Sequence, residues 1–366
     1  RYVGSAGIQY SYDTRFSVFS HDPDGTLVNA DGVTVGNTGI KSMADQMADG
    51  SLMSADSSTF TSTRMSMLTG KTDQNAAPSS FHEIMPSADG KKNVGKVISD
   101  NYEVVEGSWP KNKNEVVLVL DENNSLSLTT VYELGLKSAS EYHNMMNQLN
   151  SGDDVKTDTK KIDYSDVIDR TLKLLPTCDQ YVKGDNGHWK YVGDDVDQIN
   201  ALIDSDKAIN LKIVGVVKPV EDADATPLSS GVGYTRALTN ELVDRAESSE
   251  IVTEQQADKD HNVLNGMTFS PSDDVTKAQD ARDYVASLGV SSKAQMAQNM
   301  MAAAGASGGD SQQAAAMAQM SEQQLADQFD AYIATADEAT LVAIYNQYVS
   351  TGSYNDNLTD FGVVSR

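Results

Sequence analysis

The chain has 366 residues, with 28 basic against 53 acidic side chains and a net charge of −25. That field repels nucleic acid and anionic lipid, so no nucleic-acid partner is expected. A hydrophobic content of 39% and a mean hydropathy of −0.41 fit a soluble fold with long polar loops, and no run of 18 apolar residues exists to span a bilayer.

The length exceeds one typical core, which predicts two or three subdomains. Cys178 is the single cysteine, so no internal disulfide forms and the redox compartment stays open. The N-terminal Arg1-Tyr2-Val3-Gly4 has neither an initiator Met nor a leader, and Val364-Ser365-Arg366 closes without a tail. Both ends read as cut from a longer protein.

In chain order, residues 8–36 read as a hairpin. Ile8, Tyr10 and Tyr12 alternate, Phe16 and Val18 keep the period of two, and Asp22-Pro23-Asp24-Gly25 supplies the turn. Asp22 and Asp24 start like a calcium loop, but Thr26 and Val33 stand where ligands are needed, so turn chemistry is the reading. Residues 37–95, with Met43, Met47, Met53, Met65 and Met67 among small polar residues, read as short helices and mobile loops. Next, Val104-Val105 and Val116 to Leu120 flank a break at Gly107-Ser108-Trp109-Pro110: strand, corner, strand.

A short helix follows, capped near Ser127 or Thr129 and closed by Gly135, and then an amphipathic helix that stops at Gly152. Residues 161–204 give a helix-to-strand segment ending at Pro176, a hairpin turning between Tyr181 and Trp189, and a short helix. Ile209 to Val217 is a strong strand ended by Pro219, with Gly231 to Tyr234 as the return. Residues 235–256 read as one helix with Leu238, Leu242, Val243 and Ala246 on one face. From 273 to 349 the chain is Ala-, Gln- and Met-rich and helical, capped near Ser272 or Asp273 and broken at Gly289 and at Gly305 to Gly309.

Catalytic spacing is missing. His21, His82, His143, His188 and His261 fall one per region, with no helical metal pair. Cys178 has no basic neighbour to activate it. Gly70-Lys71-Thr72 lacks the glycine that a phosphate loop needs, and "SGVGYT" lacks the third glycine of a dinucleotide fingerprint. These gaps imply no enzyme, no cofactor and no metal. Met296, Met300, Met301, Met317 and Met320 lie on the predicted helices, where thioethers make either a compliant contact surface or a thin helical core.

One ordered series carries a resemblance. "YEVVEGSWPKNKNEVVLVLDENNSLS" followed by "YELGL", then "YSDVIDRTLKLLPTCDQY" and "LKIVGVVKPVEDADATPLSSGVGYTRALTNEL", resembles the extracellular, MacB-like periplasmic core domain of FtsX/MacB-type ABC transporter permeases of Gram-positive bacteria. "EIVTEQQADKDHNVLNGMTF" and "ATLVAIYNQYVSTGSYNDNLTDFGVV" extend it. The likeness is densest over 101–270 and weakest over 37–95.

The resemblance implies a domain set between two membrane helices, without catalytic residues, on the outer face of the cell membrane. It would work with a cytoplasmic ATPase and a second permease copy or paralogue, and move peptides, lipids or lipoproteins. A cationic peptide or a lipid is the substrate implied. The family continues past "FGVV" with a further strand and helix, which this sequence lacks, so a membrane-proximal part is expected to be incomplete.

The expected fold is α+β: an N-terminal hairpin and loops over 1–100, a β-rich core over 101–271, and a helical arm over 272–366. Gly107, Trp109, Pro110, Gly215, Pro219, Gly231 and Gly233 are the expected structural positions, and the five methionines are the candidate substrate or partner contacts. A secreted or cell-surface adhesion module is the alternative.

Overall fold

Val116 to Leu120 is apolar without alternation, and a strand of that composition needs cover on both faces. It has it. Val116, Leu118 and Leu120 enter one buried cluster, and Val117 and Val119 enter another on the opposite face. Burial of each such side chain contributes about 1.5–3 kcal/mol relative to exposure.

The structure, a computed structural model, describes residues 12, 14–29, 80–150, 161–185, 187–193, 195–223, 225–306, 320–349 and 358–363. Its strands are β1 (Phe16–His21), β2 (Leu27–Asn29), β3 (Phe81–Glu83), β4 (Tyr102–Gly107), β5 (Glu115–Val119), β6 (Thr171–Pro176), β7 (Tyr181–Lys183), β8 (Trp189–Tyr191), β9 (Ile209–Pro219) and β10 (Gly231–Tyr234). Its helices are α1 (Lys96–Ser99), α2 (Leu128–Glu133), α3 (Ala139–Asn150), α4 (Val196–Ile203), α5 (Arg236–Ser248), α6 (Glu250–Ala257), α7 (Asp274–Ser287), α8 (Val290–Ala306), α9 (Glu322–Thr335) and α10 (Glu338–Ile344). The protein is an α+β fold, as expected.

Among the described residues, eight strands make one mixed sheet in the order β2-β1-β6-β9-β5-β10-β3, with β4 also on β9; β7 and β8 form a separate hairpin. The long strand β9 is the spine. On one edge it runs parallel to β5. On the other it pairs antiparallel first with β6, through Ile209 to Lys212, and then with β4, through Gly215 to Pro219.

The strands β4 and β5 are consecutive in sequence yet do not pair, because β9 lies between them. Strands β1, β2 and β3, from before residue 100, belong to this same sheet.

Local signals account for most elements. Asp22 Oδ1 accepts from the N–H groups of Asp24 and Thr26, which closes the β1–β2 turn. Ser127 caps α2 through the Thr130 N–H, and Asp273 caps α7 through the Thr276 N–H. Ser321 and Gln324 form a reciprocal capping box at the start of α9. The expected single helix over 235–256 is two, because Ser249 takes an extended conformation (φ −66°, ψ 153°) between α5 and α6. The readings at Ile8 and Tyr10, over 37–79, at Gly152 and over 307–319 lie outside the described residues.

On one face of the sheet, Leu238 and Leu242 of α5 pack against Phe16, Leu174, Leu211 and Ile213. Ile199, Leu202 and Ile203 of α4 cover Phe19 and Leu175 on the other. Helices α7 to α10 form a second body with its own core, in which Ala281, Val285, Phe329, Ile333 and Leu341 meet. Its α8 packs on α9 and its α10 on α7. The chain then returns, and Phe361 buries fully against Tyr181, with ring centroids 5.1 Å apart, in the core that α6 and the β7–β8 hairpin share.

Candidate functional site

Two places concentrate geometry that ordinary packing does not demand: the corner between β4 and β5, and the junction between the sheet body and the helical arm.

At the corner, the Ser108 N–H donates to the Val214 carbonyl at 2.9 Å, which draws β4 onto β9. Gly107 turns with φ +75°, and a Cβ there would lie 2.2 Å from the Val214 oxygen. Gly215 faces it, and a Cβ on Gly215 would lie 2.3 Å from the Ser108 oxygen. Glycine at both positions is therefore a requirement of backbone approach. Pro110 is buried, and Trp109 and Val214 both pack against the cluster of Val117, Val119 and Val217.

The Asn93 amide donates to the carbonyls of Pro110 (3.3 Å) and Lys111 (2.9 Å). Glu115 closes the loop by accepting from the Lys111 N–H at 2.7 Å and the Asn112 side chain at 2.8 Å. The first of these bonds is the main cause of its lowered carboxyl pKa. Of the other expected structural positions, Pro219 pairs with Tyr102, while Gly231 and Gly233 on β10 sit opposite Val119 and Val117.

At the junction, the connector after α6 is tied to both bodies. Asp258 Oδ1 accepts from the N–H groups of Asp260 (3.1 Å) and His261 (2.9 Å), and the His261 imidazole lies 3.1 Å away. Gln255, buried on α6, donates to the carbonyls of Asp258 and His261 and accepts from the Val263 N–H. The Trp189 N–H donates to the Val263 carbonyl at 3.0 Å. Val263 packs into the core that α6 and the β7–β8 hairpin share, and Met267 packs into the core of the arm. Finally, the Thr268 N–H donates to Asp280 Oδ2 of α7 at 3.2 Å.

Asp280 lines an open cleft of about 480 Å³ with His261, Thr268, Gln279, Asp283 and Glu338. It is only 5% exposed. Burial lifts its carboxyl pKa to about 6; Asp283 and Asp273 add to the rise, and the Thr268 N–H and His261 oppose it. Its neighbour Arg282 donates to the Ala336 carbonyl at 3.4 Å, which links α7 to the loop before α10. This cleft can therefore hold or release a proton near pH 6 at the joint between two bodies.

Sequence reasoning passed over Asp280. The available signal was an acid set among Ala278, Ala281 and Val285, the buried stripe of α7.

The methionines divide. Met296 is 4% exposed inside the arm core, so it is a packing residue and offers no contact surface. Met300 is partly buried against the same core, and Met320 is half-buried just before α9. Met301 lies on α8, and Met317 is outside the described residues. His21 lies on β1, His82 on β3, His188 in the β7–β8 turn and His261 in the connector after α6. Among the described residues no three His, Cys, Asp or Glu side chains are grouped to hold a metal ion. The Cys178 thiol is pushed up to about 12, chiefly by burial.

Comparisons with protein-family models, with curated proteins and with solved structures return no match.

Proposed function

We propose that this chain is the extracellular domain of an FtsX/MacB-type ABC transporter permease, a non-catalytic relay that couples ATP-driven motion to a peptide, lipid or lipoprotein substrate. The reading rests on the ordered sequence resemblance over 101–270. One structural observation carries it beyond the resemblance: two separately packed bodies meet through a short connector pinned at both ends. Displacement applied to a stiff sheet passes through such a joint to a helical arm, and no acid, base or nucleophile is needed for it. The partners in this proposal are a cytoplasmic ATPase, a second permease copy or paralogue and a substrate such as a cationic peptide, which a net charge of −25 would attract.

The test uses the full-length precursor. It is purified from membranes together with its ATPase, and distances between spin labels on the sheet body and on α9 are measured with and without nucleotide. The proposal expects a nucleotide-dependent change. A precursor without membrane anchors, or one that recruits no ATPase, would overturn it.

A further inference from the structure

We propose that Asp280 is a pH-operated latch that sets how firmly the helical arm is held to the sheet body. The idea goes beyond the permease reading and stands or falls without it, since it concerns one joint of the folded chain.

The connector carries Thr268 and, across a one-residue β-bridge, His261. It is rigid on its sheet side: Gln255 grips two of its carbonyls and one N–H, and Asn262 closes the inner turn by donating to the Met267 carbonyl at 2.8 Å. The last turn residue, Gly266, has φ +74°, and a Cβ there would lie 2.8 Å from His188 Cε1 of the β7–β8 hairpin. This half of the joint has little freedom to move.

The arm side is held differently. Met267 supplies apolar contact, and the Thr268–Asp280 hydrogen bond supplies polar contact. That bond ends on a carboxylate with little exposure to water.

Burial decides the sign, and the groups facing Asp280 adjust it. From its own helix come Asp283 and Asp273, both acidic, with Arg282 alongside turned to the Ala336 carbonyl. From the connector comes His261, which is already engaged by Asp258. From α10 comes Glu338, across the cleft.

Burial disfavours the charged form, and acids outnumber cations around this carboxyl, so its neutral form suits the closed joint. Opening the joint wets Asp280 and lets it ionise. The closed form therefore holds its proton more tightly than the open form, and the latch is firm at acidic pH and loosens as pH rises from 3.8 to about 6. A protonated carboxyl still accepts the Thr268 N–H through its carbonyl oxygen, so closure keeps its hydrogen bond.

Amide hydrogen exchange of the whole chain tests this, read at Thr268 and the neighbouring connector amides and corrected for the intrinsic pH dependence of exchange. Protection should fall by about tenfold or more between pH 4 and pH 7 in the wild type, within the limit one titrating group allows. The fall should vanish in Asp280→Asn, whose amide keeps the acceptor without the charge. In Asp283→Asn, which removes a repelling neighbour and leaves Asp280 in place, the midpoint should move to lower pH. Flat protection in the wild type overturns the proposal. So does an unchanged fall in Asp280→Asn, or an unmoved midpoint in a folded Asp283→Asn protein.

Discussion

Replacement of Gly215 by Ala tests the stitching of β4 onto the spine strand. The added Cβ would lie 2.3 Å from the Ser108 oxygen and 3.0 Å from the Ser108 nitrogen, both backbone atoms with no side-chain freedom to yield. Non-bonded heavy atoms prefer roughly 3.5 Å, so β4 must retreat by about 1 Å. That retreat stretches the 2.9 Å bond from the Ser108 N–H to the Val214 carbonyl. Overpacking costs about 1–3 kcal/mol and a lost hydrogen bond about 1, for a destabilisation of about 2–4 kcal/mol.

The chain has two tryptophans, so a Trp189→Phe background leaves Trp109, which packs against the cluster of Val117, Val119 and Val217, as a local reporter of the corner. Urea unfolding followed at Trp109 needs no assumption that the two bodies melt together. With a slope of about 2 kcal/mol per molar urea, the midpoint should fall by roughly 1–2 M. Gly289→Ala, where nothing lies within 4 Å of the new atom, is the matched control. Midpoints for the two variants within about 0.3 M of each other would refute the close approach of β4 and β9.

Further outcomes are expected. In thermal melts of the arm, Asp280→Asn should stabilise at pH 7.5 by about 1 kcal/mol and change little at pH 4. The pKa raised above 3.8 puts the wild-type penalty at high pH, and the open cleft screens part of it. Ser321→Ala removes the cap and capping box of α9 and should cost about 1 kcal/mol, read as lost helicity by circular dichroism. Met296→Ser should destabilise the arm core by about 2 kcal/mol or more; on the permease reading proposed above, Ser at Met300, Met301, Met317 and Met320 together should lower transport by the full-length protein. Unchanged transport removes those four as contacts. Cys178, 4% exposed, should resist iodoacetamide until denaturant is added, as followed by mass spectrometry.

Elements set by neighbours in sequence were legible. The Asp22 turn, the Ser127 and Asp273 caps, and the hairpin from Tyr181 to Tyr191 each follow from two to four adjacent residues. The apolar run of β5 likewise announced a strand, and the fold covers both its faces. What failed to show was anything decided by distant chain. No local pattern says that β9 slides between β4 and β5, that β1 pairs with β6, or that an extended Ser249 breaks the helix after Ser248. Met296 and Met300 look alike in sequence, and only the packing of α8 on α9 buries the first fully. The stripe of Ala278, Ala281 and Val285 could have flagged Asp280, but its partner Thr268 comes from a connector that periodicity cannot place.

The spine strand also dictates a schedule. Strand β5 is hydrogen-bonded on both edges by β9 and β10, and β1 waits for β6. While a ribosome is still making the first half of the chain, Glu-Val-Val-Leu-Val has no lasting mate and is a short, β-prone, sparsely charged ribbon open to its neighbours. Its safety at birth falls to holding factors or to swift completion of synthesis, and stalled polysomes should clump through this segment first.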